Sequence, residues 1–404
     1  MVERRSFGAR IGEPLKKVRP ELDMDVWRAR RIVTTSREAR GLAPIAKSIE
    51  ALDSDVHLVV APHFGPDAPT WYVAGQNIFF EVYQSAREIL GDDRVTLFAV
   101  DRDEPASRWH RRLLETMRDV HATHLIAQIE NDPNQAHSWT WDVIGQSLAK
   151  HWNGPFIAMM YDSAFPWLRM KARRLGRTYP HLLVTDICVP MSNEVRPGRT
   201  EVGPVTMPLS QATVDAIDDY VDGLSKIYDL TFIGALYDYR VELIDELRRT
   251  GVNVAINPHR PDVTSNYLES RTNQPTYLEY MKGLAQSEMT LNFSLASGGP
   301  MEQYKIRVQE ASMVGCLCLT DDKERTRLFF DRNEYGYFPD LASIPRVVEN
   351  RLADPTQLRA DQVAARQRAH ELARTDFWGR VEMGLHKRGL RGLTGLQPPP
   401  PPAA

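Results

Sequence analysis

The 404-residue chain has only three cysteines, Cys188, Cys316 and Cys318. That count is odd and sparse, so it is no disulfide framework. Cys316-Leu-Cys318 sits in an apolar run and is too tight for a zinc site, which reads as a buried strand. No His, Cys, Asp and Glu cluster has metal-ligand spacing, so no metal is expected. No apolar run reaches the roughly 18 residues that a membrane span needs. The N-terminus, Met1-Val-Glu-Arg-Arg, lacks the apolar core of a secretory signal, and a cytoplasmic protein is expected. A charge excess is also missing: 50 Lys and Arg against 53 Asp and Glu leave a net −3. That argues against a protein devoted to coating nucleic acid or an anionic surface, though it leaves room for a local basic patch.

What is present is 42% apolar and 25% charged residue content, ordinary for a globular chain of this length. Short β-branched runs alternate with helical patterns. In the first half, strands are expected at Val56–Ala61, Val95–Val100, His124–Glu130, Phe156–Tyr161 and Leu182–Thr185. Helices are expected between them at Asn77–Leu90, Arg108–Val120, Trp139–His151 and Trp167–Leu175. A helical run at Gln211–Ile227 leads to a second alternation. Its strands are Leu230–Gly234, Val252–Ile256, Met289–Asn292 and Cys316–Thr320. Its helices are Tyr239–Thr250, Tyr277–Ser287, Met301–Val314, Ile344–Ala353 and Pro355–Arg374. Strand–helix alternation with short, wholly apolar strands predicts parallel sheets covered on both faces. The expectation is therefore an α/β chain with two doubly wound, Rossmann-like domains facing a cleft. Residues 1–30 read as an extension, 31–222 and 223–390 as the two domains, and 391–404 as a disordered Pro-rich tail.

Ligands of open α/β sheets bind outside the carboxyl ends of the strands. There the segment Ser294-Leu-Ala-Ser-Gly-Gly-Pro-Met-Glu-Gln-Tyr-Lys-Ile-Arg-Val-Gln-Glu310 follows a strand. Gly298 and Gly299 permit close backbone approach to a ligand, and Pro300 suits the first turn of a helix. A helix start offers free N–H groups to phosphate. Lys305 and Arg307 add positive charge where the helix dipole disfavours it, which suggests an anionic ligand. Glu302 and Glu310 would lie roughly 12 Å apart along that helix. Such an acid–base–acid array fits a nucleotide sugar, with Glu302 on sugar hydroxyls, the basic pair on the diphosphate and Glu310 on the ribose diol. The plain alternative is an exposed helix carrying Glu–Lys and Arg–Glu pairs three residues apart.

Glu302-x7-Glu310, with Ala311 and Gly315 after it, resembles the Glu-x7-Glu motif of retaining GT-B glycosyltransferases of family four. More closely, Tyr228–Arg240, Tyr277–Tyr280, Leu291–Ser294, Lys305-x-Arg307-x-x-Glu310, Phe329–Tyr337 and Asp376–Arg380 resemble the glycosyl transferases group 1 domain of the spore-maturation-protein-B-like family. Between the glutamates the chain departs from the family-four Gly-Phe-Gly and Pro pattern. The resemblance implies a GT-B fold, a nucleoside-diphosphate-sugar donor in the second domain as co-substrate without a further cofactor, and an acceptor in the first. The acceptor itself, whether small molecule, glycan, lipid or polymer, is left open.

Four further residues complete the expected site. Arg240, after the first strand of the second domain, is expected to reach the diphosphate or to stand solvated. Asp162, ending a strand, either orients an acceptor hydroxyl or caps the next helix. His63, in a loop after a strand, and Gly75, opening a helix, are acceptor-side candidates. Asp53-Ser-Asp55 precedes its strand and reads as a turn rather than a metal-binding Asp-x-Asp. The expected activity is glycosyl transfer, retaining and metal-independent. Alternatives are a nucleotide-sugar epimerase or hydrolase on the same fold, or a non-catalytic carbohydrate-binding protein.

Overall fold

The computed structural model describes residues 20–49, 55–64, 73–100, 104–129, 139–160, 166–186, 201–234, 238–258, 277–294, 303–400 and 402. A long helix α1 (Pro20–Lys47) opens the fold. The first sheet follows: β1 (Leu58–Phe64), α2 (Val73–Leu90), β2 (Val95–Val100), α3 (Ala106–Asp119), β3 (His124–Gln128), α4 (Thr140–Leu148), β4 (Phe156–Met160), α5 (Pro166–Thr178), β5 (Leu182–Asp186) and β6 (Glu201–Val202). Helix α6 (Gln211–Val221) leads to the second sheet. Its elements are β7 (Tyr228–Phe232), α7 (Asp238–Arg249), β8 (Val254–Ile256), α8 (Tyr277–Ala285), β9 (Ser287–Asn292), α9 (Arg307–Met313), β10 (Leu317–Thr320), α10 (Lys323–Thr326) and β11 (Gly336–Tyr337). Helices α11 (Ile344–Leu352) and α12 (Pro355–Lys387) close the chain.

Strand order is β2-β1-β3-β4-β5-β6 in the first sheet and β11-β10-β9-β7-β8 in the second. Every pairing is parallel. The order reverses between β1 and β3, and again between β7 and β9, which are the points where such sheets open a crevice. β4 and β10 are buried at every position, as strands covered on both faces must be. One apolar core, holding Ile126, Met159 and Leu183 of the first sheet with Met281, Val308 and Phe377 of the second half, is continuous across both units. Cys316 and Cys318 are buried free thiols in this core, as the strand reading expected.

Polar groups bind the two halves together. Both oxygens of Glu81 on α2 cap α6, accepting from Ser210 N and Oγ and from Thr213 Oγ1. Gln309 accepts from Met207 N at 2.9 Å and donates to Met207 O at 3.0 Å. Asp376 Oδ2 accepts from Thr206 N and Oγ1, while Oδ1 accepts from Arg380 at 2.6 Å. The last turns of α12 lie on the first sheet, where Gly384 has no room for a Cβ beside Val202 and Leu183.

Two expectations at the ends of the chain are corrected. The break after residue 30 falls inside α1, which runs unbroken to Lys47 because Ala39, Leu42 and Ala46 seat its second half in the core. The Pro-rich tail, expected to be disordered, docks back on α12. Glu382 accepts from Leu393 N and Thr394 N, Leu393 is buried, and Arg368 donates to Pro400 O at 2.9 Å. Proline lacks a donor but keeps its carbonyl, and a guanidinium uses it.

Candidate active site

At the carboxyl end of β7 the chain turns through Gly234, whose φ of 146° suits glycine. Its N–H donates to Asn257 Oδ1 at 2.9 Å. A Cβ at Gly234 would stand 3.3 Å from the Arg307 guanidinium and 3.5 Å from the Phe232 ring. Arg307, the first residue of α9, therefore reaches across the crevice between β7 and β9 to the backbone beyond β7.

Arg240 occupies the first turn of α7 and is almost wholly buried, not solvated. Its guanidinium lies 5.3 Å from the Phe232 ring centre and 4.9 Å from that of Phe293, and its Nε donates to Tyr239 Oη at 2.8 Å. Phe232 ends β7 and Phe293 directly follows β9, so the aromatic shelf beneath the cation is made at the ends of adjacent strands. Phe232 thus connects Arg240 with Gly234 and Arg307.

Glu310, one turn into α9, is buried. Oε2 accepts from Tyr280 Oη at 2.7 Å and Oε1 from Tyr277 Oη at 3.2 Å. The two tyrosines stand three residues apart on α8 with their rings stacked, 5.9 Å between centres. Burial pushes the Glu310 carboxyl above the usual carboxylate range, opposed by the Tyr280 hydroxyl, the Arg307 charge and the Tyr277 hydroxyl. Burial also raises both tyrosine hydroxyls, which Glu310 reinforces. The pair fixes the orientation of the carboxylate.

Around this centre several buried polar atoms have no hydrogen-bond partner among the described residues: Arg307 Nε, Asn292 Oδ1, Ser294 Oγ, Tyr304 Oη and Thr326 Oγ1. All lie on or near β9, α9 and β10. Unmatched buried groups are costly, and those at the strand-end crevice are ones a polar ligand would satisfy; others lie elsewhere, among them Trp109 Nε1, His110 Nε2 and Trp141 Nε1 in the first unit.

The structure brings Arg240, Arg307 and Glu310 to one end of the second sheet, with Lys305 just ahead of α9 and bonded to Gln303 Oε1. The expected helix over Met301–Val314 is corrected: α9 has seven residues and starts at Arg307. Gln303 N donates to Ser294 O, and buried Tyr304 packs on Phe329 with 4.7 Å between ring centres, so Gln303–Lys305 keep an irregular course. No continuous helix runs back from Glu310 through Gln303–Lys305. Gly298, Gly299, Glu302 and Asp162 lie outside the described residues. His63 is in β1, paired in register with Ala99, rather than in the loop after it. Gly75 is in the first turn of α2, as expected of a residue that opens a helix. Sequence reasoning missed Tyr277 and Tyr280 as carboxylate partners, although their i, i+3 spacing was visible.

Residues 240–383 match the glycosyl transferase-like family. No curated protein matches the chain. Among solved structures, a sucrose-phosphate synthase from Thermosynechococcus elongatus aligns with a TM-score of 0.51 at 12% identity, covering 83% of this chain and 98% of that one. An alpha-glucosyltransferase in complex with UDP-glucose and DNA containing an abasic site aligns with a TM-score of 0.50 at 10% identity, covering 78% and 95%. A UDP-N-acetylglucosamine 2-epimerase aligns with a TM-score of 0.43 at 14% identity, covering 87% and 100%.

Proposed function

The chain has a GT-B fold, and we propose that it is a glycosyltransferase that takes its sugar from a nucleoside-diphosphate-sugar held at the carboxyl end of the second sheet. The observation that carries this reading is the Arg307–Glu310 pair at the β7/β9 crevice, a cation with an unmatched buried Nε beside a carboxylate oriented by two tyrosines. Arg307, Lys305 and Arg240 neutralise the diphosphate and stabilise it as it leaves. Glu310 accepts from the ribose diol with the lone pairs its tyrosines leave over. Glu302 stands by the sugar, where charge develops, and Asp162 orients the acceptor hydroxyl, with His63 and Gly75 on the acceptor side. Transfer is retaining and metal-independent: three cations carry the diphosphate charge, and the leaving phosphate takes the acceptor proton on the same face.

UDP-glucose is bound by one structural relative, so UDP and UDP-glucose are the first probes. Glu310→Gln and Arg307→Gln should each weaken UDP binding by calorimetry about ten- to hundred-fold, the value of a charged hydrogen bond. Glu302→Gln should lower the single-turnover rate and leave UDP affinity nearly intact. Turnover should survive EDTA. Equal affinity of all three variants and the parent would sink the assignment, and a donor epimer without a glycosylated product would identify an epimerase.

A further inference from the structure

The donor crevice lies at the carboxyl ends of the second sheet. A cavity opens at the other kind of edge, where the strands of the first sheet begin. Its volume is about 520 Å³, within the range of about 300–1,000 Å³ that small-molecule sites occupy. Thr123, Asn153 and His181 line it, each from the segment that leads into one of the neighbouring strands β3, β4 and β5. Arg388, Leu390 and Arg391 line it from the end of α12.

The two arginines are set in place by the way α12 ends. Gly389 takes a φ of 61°. Its N–H donates to His386 O and that of Leu390 to Leu385 O, both at 2.9 Å. These bonds close the helix in a Schellman turn and swing the chain back, with Arg388 on one side of the glycine and Arg391 beyond it. The Arg388 guanidinium reaches the first sheet, where Nη1 donates to Leu182 O at 2.8 Å and Nη2 to Pro180 O at 2.5 Å. Arg391 is tied down through its backbone, since its carbonyl accepts from His124 Nε2 at 3.1 Å. Both cations are therefore held at fixed points of the wall.

No Asp or Glu lines the cavity among the described residues. None occurs in residues 120–123, 149–155 and 179–181, which lead into the three strands, or in the chain after Glu382; together these segments hold four Lys and Arg and four His. The carboxylates that flank them in the chain are engaged: Glu382 accepts from Leu393 N and Thr394 N, and Asp119 pairs with Arg118 at 2.7 Å. On the β1 side, Asp55 pairs with Arg94 at 3.9 Å and Asp93 acts on His57. Burial, and after it the Arg388 charge, hold the His181 imidazole below its usual value, so the charge at the end of α12 is felt at the start of β5. Like charges gathered in one recess repel, and an anion relieves them. Two guanidiniums match the roughly two negative charges of a phosphomonoester near pH 7, and their planar forks suit its oxygens. A nucleic acid strand instead tracks an open groove along many phosphates, whereas this recess has the size of one small molecule.

We propose that this cavity is a binding site for a phosphorylated small molecule, separate from the donor crevice. The assignment stands whether or not that crevice takes a nucleotide sugar. The test is calorimetry of the full chain with glycerol 3-phosphate, and with malonate as the carboxylate control. Binding should persist in Arg307→Gln, which alters the crevice alone. Arg391→Gln should weaken it at least about tenfold, as the loss of a charged hydrogen bond does, and leave UDP affinity unchanged. His181→Phe keeps a ring beside Tyr179 and removes the imidazole nitrogens; it should weaken binding about threefold. Arg388→Gln is not the decisive variant, because it also breaks two bonds to the first sheet. Melting curves control for folding. Should Arg391→Gln melt early, the test passes to His181→Phe and to trypsin: glycerol 3-phosphate should slow cleavage of the unaltered chain after Arg388 several-fold. Three results would overturn the proposal: no binding to the unaltered chain, binding lost in Arg307→Gln but kept in both cavity variants, or malonate bound as tightly as glycerol 3-phosphate.

Discussion

Gln309 and Glu310 are chain neighbours on one short buried helix, yet they serve two different regions. Gln309 faces the seam between the halves and pairs both its amide groups with the backbone of Met207. The same holds along that seam: Glu81 meets Ser210 and Thr213, Asp376 meets Thr206 and Arg380, and Trp378 Nε1 donates to Ser85 Oγ at 2.9 Å. Glu310 faces the strand-end crevice, where neighbouring buried polar atoms such as Arg307 Nε, Asn292 Oδ1 and Ser294 Oγ are unmatched among the described residues. A matched polar network holds a structure in one arrangement, whereas an unmatched one sacrifices stability for something else. The difference teaches that burial alone does not mark the site: at the seam these buried polar groups are paired with one another, whereas at the crevice some are left over.

The sharpest way to break the comparison is to remove one group from each region. Asp376→Ala strips Thr206 of two hydrogen bonds to a buried carboxylate and leaves Arg380, stacked 4.9 Å above Phe329, without that partner. Breaking a buried ion pair on one side costs about 3–5 kcal/mol. Glu310→Gln should leave stability unchanged or raise it at pH 7, because burial disfavours the charged form there. Denaturant midpoints measure both. A larger loss for Glu310→Gln than for Asp376→Ala would erase the distinction.

A second measurement sharpens the same contrast through pH. His124 opens β3 in full burial, its Nε2 donating to Arg391 O at 3.1 Å and its Nδ1 accepting from Thr123 Oγ1 at 2.9 Å. Burial, opposed by the Arg391 carbonyl, lowers its pKa to about 4 from 6.5. The unfolded chain then binds the proton first, so this contribution is complete above pH 6.5 and is lost as pH falls toward 4. The full effect is roughly 3 kcal/mol. His124→Gln keeps the donor and should flatten that part of the pH–stability curve; an unchanged slope would refute the assignment.

Much of the fold is legible in the sequence because strands buried on both faces must be short apolar runs. β2 is expected at Val95–Val100 and is found there, and most other elements differ only at their ends. The two-residue edge strands β6 and β11 carry no period to detect. α1 is hidden in the sequence because its first half exposes apolar and basic residues alike, so no stripe repeats. At the site, Lys305, Arg307 and Glu310 are legible as charges near a strand end. The tyrosines that hold Glu310, 33 and 30 residues away, and the Met207 backbone that holds Gln309, 102 away, are matters of tertiary packing. The single long helix expected to carry both glutamates fails for a local reason: buried Tyr304 fixes the backbone ahead of α9.

The smallest expected effect concerns the tail, which belongs to the matched region and so should be removable only at some cost. Gly379 lies within α12, and a methyl there would run into the backbone of Gln397 and Pro398. Alanine is the better helix former by about 1 kcal/mol, so Gly379→Ala should strengthen α12 while lifting the tail from it. The lost contacts include the Arg368–Pro400 bond, a charged hydrogen bond at an exposed position and therefore of modest value. The two changes nearly offset, and the melting temperature should move by no more than about 2 °C. Limited proteolysis is the more sensitive readout: cleavage after Arg391 or Leu396 should quicken several-fold while α12 stays intact. If cleavage is unchanged, the methyl has been absorbed by a shift of the helix, and the tail's seat on Gly379 is not what holds it.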